Sequence, residues 1–240
     1  MSATAERADL HAIEPDPFEP TAAEVERYVA ALQDLATEAP DLARRHAWRQ
    51  IRLAGARAGA RHAEVLDTLN RLFRLGTPPD PPLDGPQRGI LVTPLTAPAG
   101  DSTLRAITGA WMPWLGKRFE SASDSGDNLL APSARLPSRT LWPSYRPESA
   151  PEGRLAAFRF RTRVSPGTVD PDRQTLKIDY DSDDNPGLLI RDILDELVEV
   201  VPGANLGKIL LRRKRGGSAD WRLIGYFALE PFPAGGEPRP

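Results

Sequence analysis

Residues 155–164 read LAAFRFRTRV, and their alternation decides the fold class. Phe158, Phe160, Thr162 and Val164 fall on one side of an extended chain, and Arg159, Arg161 and Arg163 on the other. A period of two with one apolar and one charged face predicts a strand that is buried on one side and wet on the other, as in an antiparallel sheet. The next run, QTLKIDYD at 174–181, repeats the pattern, with Leu176, Ile178 and Tyr180 opposite Lys177 and Asp179. Between them, Ser165-Pro-Gly-Thr-Val-Asp-Pro171 has turn chemistry. Residues 204–213 and 221–229 predict two more strands, joined as a hairpin through Arg215-Gly-Gly-Ser-Ala-Asp220. A further strand is expected at 88–95, and a short helix at 102–111.

Two other stretches are read differently. Asn185 and Pro186 have the residue types of a helix N-cap and first position, and Leu189, Ile190, Ile193, Leu194, Leu197 and Val198 follow at helical spacing. This predicts one inserted helix over 186–200, ended by Pro202-Gly203, with Asp195 and Glu196 on its solvated flank. The region from Pro113 to Pro151 is long, polar and proline-rich.

Toward the N-terminus the period becomes helical. Thr21 with Glu24 is a capping box, followed by Val25, Tyr28, Val29, Leu32 and Leu35. A second helix is expected from Asp41, with Leu42, Ala43, Ala47 and Ile51 on one face, and a third from about residue 60 to Leu75, with Gly76 beyond it. Gly76-Thr-Pro-Pro-Asp-Pro-Pro-Leu-Asp-Gly-Pro86 cannot be regular, because its prolines lack donors, and it marks a boundary. The expected organisation is a flexible arm at 1–20, a helical region at 21–76, a barrel domain at 84–230 and a flexible tail at 231–240.

Composition narrows the function classes. The 240 residues carry 31 basic and 33 acidic side chains, a net charge of −2 that gives no electrostatic reason to expect nucleic acid. Arg44, Arg45, Arg49, Arg52, Arg57 and Arg61 form a stripe on the helices, but acids lie nearby and no aromatic stacking set accompanies them, so a solvated face is the simpler reading. There is no cysteine, so disulfide, thiolate and cysteine–zinc chemistry are excluded. No apolar run is long enough to span a bilayer and the first twenty residues lack a secretory apolar region, so a cytoplasmic protein is expected. His11, His46 and His62 form no metal-spaced set, and neither a dinucleotide glycine motif nor a phosphate-binding lysine loop occurs. No cofactor or metal is expected, and no catalytic residue is assigned. The carboxylates Asp179, Asp181, Asp183 and Asp184 lack the glycine and closing glutamate of a calcium loop and are read as negative charge near the expected helix start.

The unusual segment is Trp111-Met-Pro-Trp114-Leu-Gly-Lys117-Arg-Phe119, followed by Gly126-Asp127-Asn128. Aromatic surface with one or two donors suits an apolar ligand bearing a polar or anionic head, whereas the alternative makes the tryptophans a plug for one end of a barrel. Lys208 shares a strand face with Leu206 and Leu210, and is a cation in a pocket only if that face is inward.

The runs PPLDGPQRGIL, WMPWLGKRFE with GDN, and LKIDYDSDDNP through LGKILLR to YFAL resemble conserved actinobacterial proteins of lipocalin- or fibrillin-like shape, over roughly residues 65–230. The turn Asp84-Gly-Pro-Gln-Arg88-Gly89 is similar to the openings of small lipid-binding barrels. The resemblance implies a ligand cavity and no particular reaction.

Together these readings predict an α+β protein: N-terminal helices followed by an antiparallel β-barrel or strongly curved sheet with one inserted helix. The helices either pack on the barrel or pair two copies of the chain. The expected function is binding of a lipid, terpenoid or polyketide-like small molecule by Trp111, Trp114, Lys117, Phe119, Phe158, Phe160, Tyr180, Lys208 and Tyr226. A cofactor-independent cyclase or isomerase of natural-product biosynthesis using the same cavity, and a partner-binding module, are the alternatives.

Overall fold

The computed structural model describes residues 21–57, 62–93, 113–187, 189–215 and 218–232, so the expected arm, the helix at 102–111, Trp111 and all but the start of the tail lie outside the described residues. The capping box forms as read: Thr21 Oγ1 accepts from the Glu24 N–H, and the Glu24 carboxylate accepts from the Thr21 N–H at 2.7 Å. It opens α1 (Ala22–Glu38), whose buried side is Val25, Tyr28, Val29, Leu32 and Leu35. Helices α2 (Pro40–Ala56) and α3 (His62–Leu75) complete the N-terminal layer.

The strands are β1 (Gly85–Leu91), β2 (Trp114–Glu120), β3 (Ser125–Leu130), β4 (Glu148–Ser149), β5 (Leu155–Pro166), β6 (Gln174–Asp179), β7 (Ile193–Val201), β8 (Ala204–Arg215) and β9 (Ser218–Pro231), with a short helix α4 (Arg135–Leu141) after β3. All except β4 form one antiparallel circuit, β1-β2-β3-β5-β6-β7-β8-β9, and β9 returns to β1 through pairs such as Gly89–Leu229. Eight strands thus close a barrel, while β4 flanks the start of β5. Closure leaves no unpaired edge along the circuit.

Two of the sequence expectations fail here. Residues 193–201 are strand β7 with only a single 3-10 turn (Ile190–Asp192) before it, not a helix. Ile193 and Leu197 pack into the barrel while Val198 and Val200 pack outward beneath the helices, so β7 is apolar on both faces and loses the alternation that marks a strand. The Asn185 side chain caps no helix; its Nδ2 donates to the Arg159 and Tyr180 carbonyls. The proline-rich region 113–151 contains β2, β3 and α4. Asp179, Asp181 and Asp183 pair with Arg163, Arg191 and Arg212.

The helices lie on the outer face of the barrel wall. Val25 and Val29 of α1, Trp48 and Ile51 of α2, and Leu69, Leu72 and Phe73 of α3 pack against Val198, Val200, Leu206, Tyr226 and Ala228. Contact is tight at the end of α3: a Cβ on Gly76 would stand 2.7 Å from the Val198 side chain and 2.9 Å from the Glu199 carbonyl. Among the described residues, no helix is long and apolar enough to cross a membrane.

Candidate functional site

Inside the barrel the packing is largely aromatic. Phe119 meets Phe160 edge-on at 5.3 Å between ring centroids, Phe160 meets Tyr180 at 5.7 Å, and Trp114 meets Phe227 at 5.8 Å. Glycines across the wall make room for these rings. Gly126 lies opposite Phe160 and Gly207 opposite Phe227, and a Cβ on either would come within 2.6 Å of the facing ring. The ring of Trp114 lies against Gly89 in the same way.

In the middle of these rings sits a polar cluster. Lys117 of β2 is 1% exposed, and its Nζ donates to Asp195 Oδ2 at 2.9 Å, to Asn128 Oδ1 at 3.0 Å and to the Tyr180 hydroxyl. All three of its protons are thereby committed. Tyr180 donates to Asp195 Oδ2 at 2.9 Å, and Trp114 Nε1 donates to Asn128 Oδ1 at 3.0 Å. The rings of Trp114, Phe160, Tyr180 and Phe227 surround the ammonium at 5.1–5.5 Å from their centroids, favourable quadrupole geometry for a cation.

Position in the chain explains how the cluster forms. Asp195 and Glu196 are consecutive on a strand, so they point to opposite sides of the wall. Both are fully buried, which corrects the expectation that they are solvated. On β5, one extra residue lies between the pairs Gly126–Phe160 and Asn128–Ala157, and Phe158 there takes φ +53, a left-handed conformation that is rare for an aromatic residue. The distortion turns the Phe158 carbonyl toward Asn128 Nδ2 at 3.3 Å and its N–H toward the Tyr145 hydroxyl.

Burial sets the electrostatics. It pushes the Lys117 ammonium below its ordinary pKa and the Asp195 carboxyl above its own, and the attraction between the two opposes both shifts. Burial, with the Asp195 charge beside it, holds the Tyr180 phenol well above 10. Asp195 Oδ1 accepts no hydrogen bond from the described residues. The same is true of Gln87 Oε1 and Asn205 Oδ1, on residues paired across the sheet with Lys117 and Leu229 and so sharing the inward face. Buried acceptors without donors are uncommon and call for an explanation.

A cleft of about 90 Å³ is lined by Pro79, Pro82, Leu83, Phe119, Thr162 and Leu176, and Phe119 is its floor toward Phe160 and Tyr180. Near the Trp142 side, Phe158 stacks on Tyr145 at 5.3 Å and meets Trp142 edge-on at 5.1 Å.

Of the residues expected to line a pocket, Trp114, Lys117, Phe119, Phe158, Phe160 and Tyr180 are brought together in or beside this interior. Lys208 and Tyr226 stand on the other side of the wall. Lys208 Nζ donates to Asn70 Oδ1 of α3 at 2.6 Å and to Asp170, with Phe73 4.4 Å beneath it. Tyr226 is buried under the helices, and burial pushes its phenol upward. In the sequence Asn128 stands beside the aromatic segment and Asp195 reads as part of a solvated helix flank, and neither is expected in the site. The signal for Asp195 was a carboxylate inside an apolar run with nothing local to neutralise it.

No protein-family model and no curated protein matches the chain. A crystal structure of a protein from Thermomonospora curvata is similar over 74% of this chain and 97% of that one, at 18% identity and a TM-score of 0.39.

Proposed function

We propose that the barrel binds one apolar small molecule carrying a hydroxyl or amino group, with that group donating to Asp195 Oδ1. The observation that carries the reading is the unpartnered carboxylate oxygen at the centre of a ring-lined interior. Hydrophobic contact with Phe119, Phe160 and Trp114 supplies most of the affinity of such a molecule, and a few placed polar groups orient it. Lys117 has no proton left for an anionic head, so its role is to hold Asp195 charged and fixed in direction. This is the carrier role implied by the lipocalin-like resemblance, with the head group changed from acceptor to donor.

Mass spectrometry of the full chain, purified under native conditions, tests it. A bound small molecule is expected on the wild type and is expected to be lost from the double variant Lys117→Met/Asp195→Leu. The bare chain mass in both counts against the reading.

One observation favours a second reading. A carboxyl raised by burial, with one oxygen open and Tyr180 on the other, is placed to take a proton from a bound ligand. A cofactor-independent isomerase would show deuterium uptake into the released molecule; a carrier would not.

A further inference from the structure

A second candidate site lies outside the barrel, in the groove between α2 and the β1–β9 wall. Its volume is about 470 Å³, within the range of small-molecule sites, and it is lined by Arg45, Trp48, Arg49, Arg52, Leu53, Ala56, Arg88 and Glu230. Four guanidinium groups and one carboxylate line it, on a chain whose net charge is −2. Arg45, Arg49 and Arg52 follow one another at four- and three-residue spacing, so they share one helix face over roughly 10 Å. Arg88 reaches in from the opposite wall, its guanidinium 5.6 Å from the Trp48 ring centroid and paired with Glu230.

The other ion pairs around α2 show what is different here. Arg44 on the neighbouring face pairs with Asp41 at 2.9 Å, whereas neither Arg45 nor Arg52 meets a carboxylate among the described residues. A solvated face would spread its arginines among acids. This one gathers them over an apolar floor of Trp48, Leu53 and Ala56. The guanidinium fork pairs bidentately with phosphate or carboxylate and stacks on flat rings.

We propose that this groove binds a small molecule with a flat apolar body and two or more anionic groups, phosphate or carboxylate. The short reach of the groove and the near-neutral chain favour a small molecule over nucleic acid, whose binding needs an extended basic surface.

Isothermal titration calorimetry on the full chain uses five probes: ADP, benzene-1,3,5-tricarboxylate, inorganic pyrophosphate, adenosine and a single-stranded oligonucleotide. The expected result is saturable binding of ADP or of the tricarboxylate, at least about tenfold tighter than pyrophosphate or adenosine, since ring and charge are both required. Tighter binding of ADP assigns phosphate, and tighter binding of the tricarboxylate assigns carboxylate. Arg45→Gln/Arg52→Gln removes two exposed charges without touching the core and should weaken binding about tenfold at an unchanged melting temperature. Lys117→Met/Asp195→Leu should bind as the wild type does, which separates this groove from the barrel interior. No saturable binding by either ring-bearing anion, equal affinity in the arginine variant, or tighter binding of a single-stranded oligonucleotide would overturn the proposal.

Discussion

Buried lysine–carboxylate pairs occur on both sides of the barrel wall, and the two sides use them differently. On the outer side, Lys177 pairs with Glu196, and Lys208 with Asp170; these pairs tie the 167–173 turn and α3 to the sheet. Glu196 also accepts from the Thr168 N–H, and Arg74 of α3 bridges Asp170 at 2.7 Å and Asp172 at 2.6 Å. Each outer charge therefore clamps one layer to another. On the inner side, Lys117 and Asp195 join strands that barrel closure and aromatic packing already hold. A buried ion pair is commonly no more stabilising than apolar side chains of the same size. Outside, the pairs have an architectural reason. Inside, barrel closure already joins the strands, and under the proposed reading the pair serves to orient Asp195 toward a ligand.

The comparison can be broken by removing one charge at a time. The largest effect is expected for Asp195→Leu, which strands the Lys117 ammonium among four rings and should cost about 3–5 kcal/mol. In a chain of this size that lowers the melting temperature by roughly 10 °C. Adding Lys117→Met should restore most of the loss, because no buried charge then lacks a partner. A double variant as unstable as the single one would show that the inner pair is structural.

On the outer side, Lys208→Met should cost about 1–3 kcal/mol in denaturant unfolding, since Arg74 still bonds Asp170. Arg74→Gln, a third exposed, should cost below about 1 kcal/mol in the same measurement.

The two sides should also answer acid with opposite signs. Burial works to raise Asp170, but hydrogen bonds from Lys208 and Arg74 outweigh it and hold the carboxyl below its ordinary value. Its contribution is present above the unfolded pKa and is lost as pH falls through the lower folded one. Asp195 is raised, so its charged form opposes folding and protonation relieves that cost as pH falls from the raised value toward the unfolded one. Melting temperatures measured from pH 7 to pH 3 should fall less steeply in Arg74→Gln than in the wild type. An identical slope would mean that the outer clamp does not set acid stability.

The legibility of these regions in the sequence follows from what covers them. The strand at 155–166 was plain because Arg159, Arg161 and Arg163 are wet while Phe158 and Phe160 are buried. Strand β7 was unreadable as a strand because helices cover its outer face, so Leu194 and Val198 are as buried as Ile193 and Leu197. Once β7 is taken as helix, Asp195 and Glu196 fall on one solvated flank; once it is a strand, they separate to the two sides of the wall. Lys117 stood out by its aromatic neighbours, but its counter-ion lies 78 positions along the chain, and local spacing carries no information about such a pair. Lys208 and Tyr226 were assigned to the interior because strand alternation gives two faces without saying which one is inward; α3 decides it.

The central claim is that Asp195 Oδ1 receives a donor from a ligand in the barrel interior. Calorimetric titration of the full chain with 2-naphthol and with 2-methoxynaphthalene tests it most directly. The two have similar shape and apolar area, but only the naphthol can donate. Wild type should bind the naphthol at least about tenfold tighter, a difference of about 1.4 kcal/mol, and Lys117→Met/Asp195→Leu should bind both alike. Equal affinity of the two compounds for the wild type, or no saturable binding of either, would contradict the account.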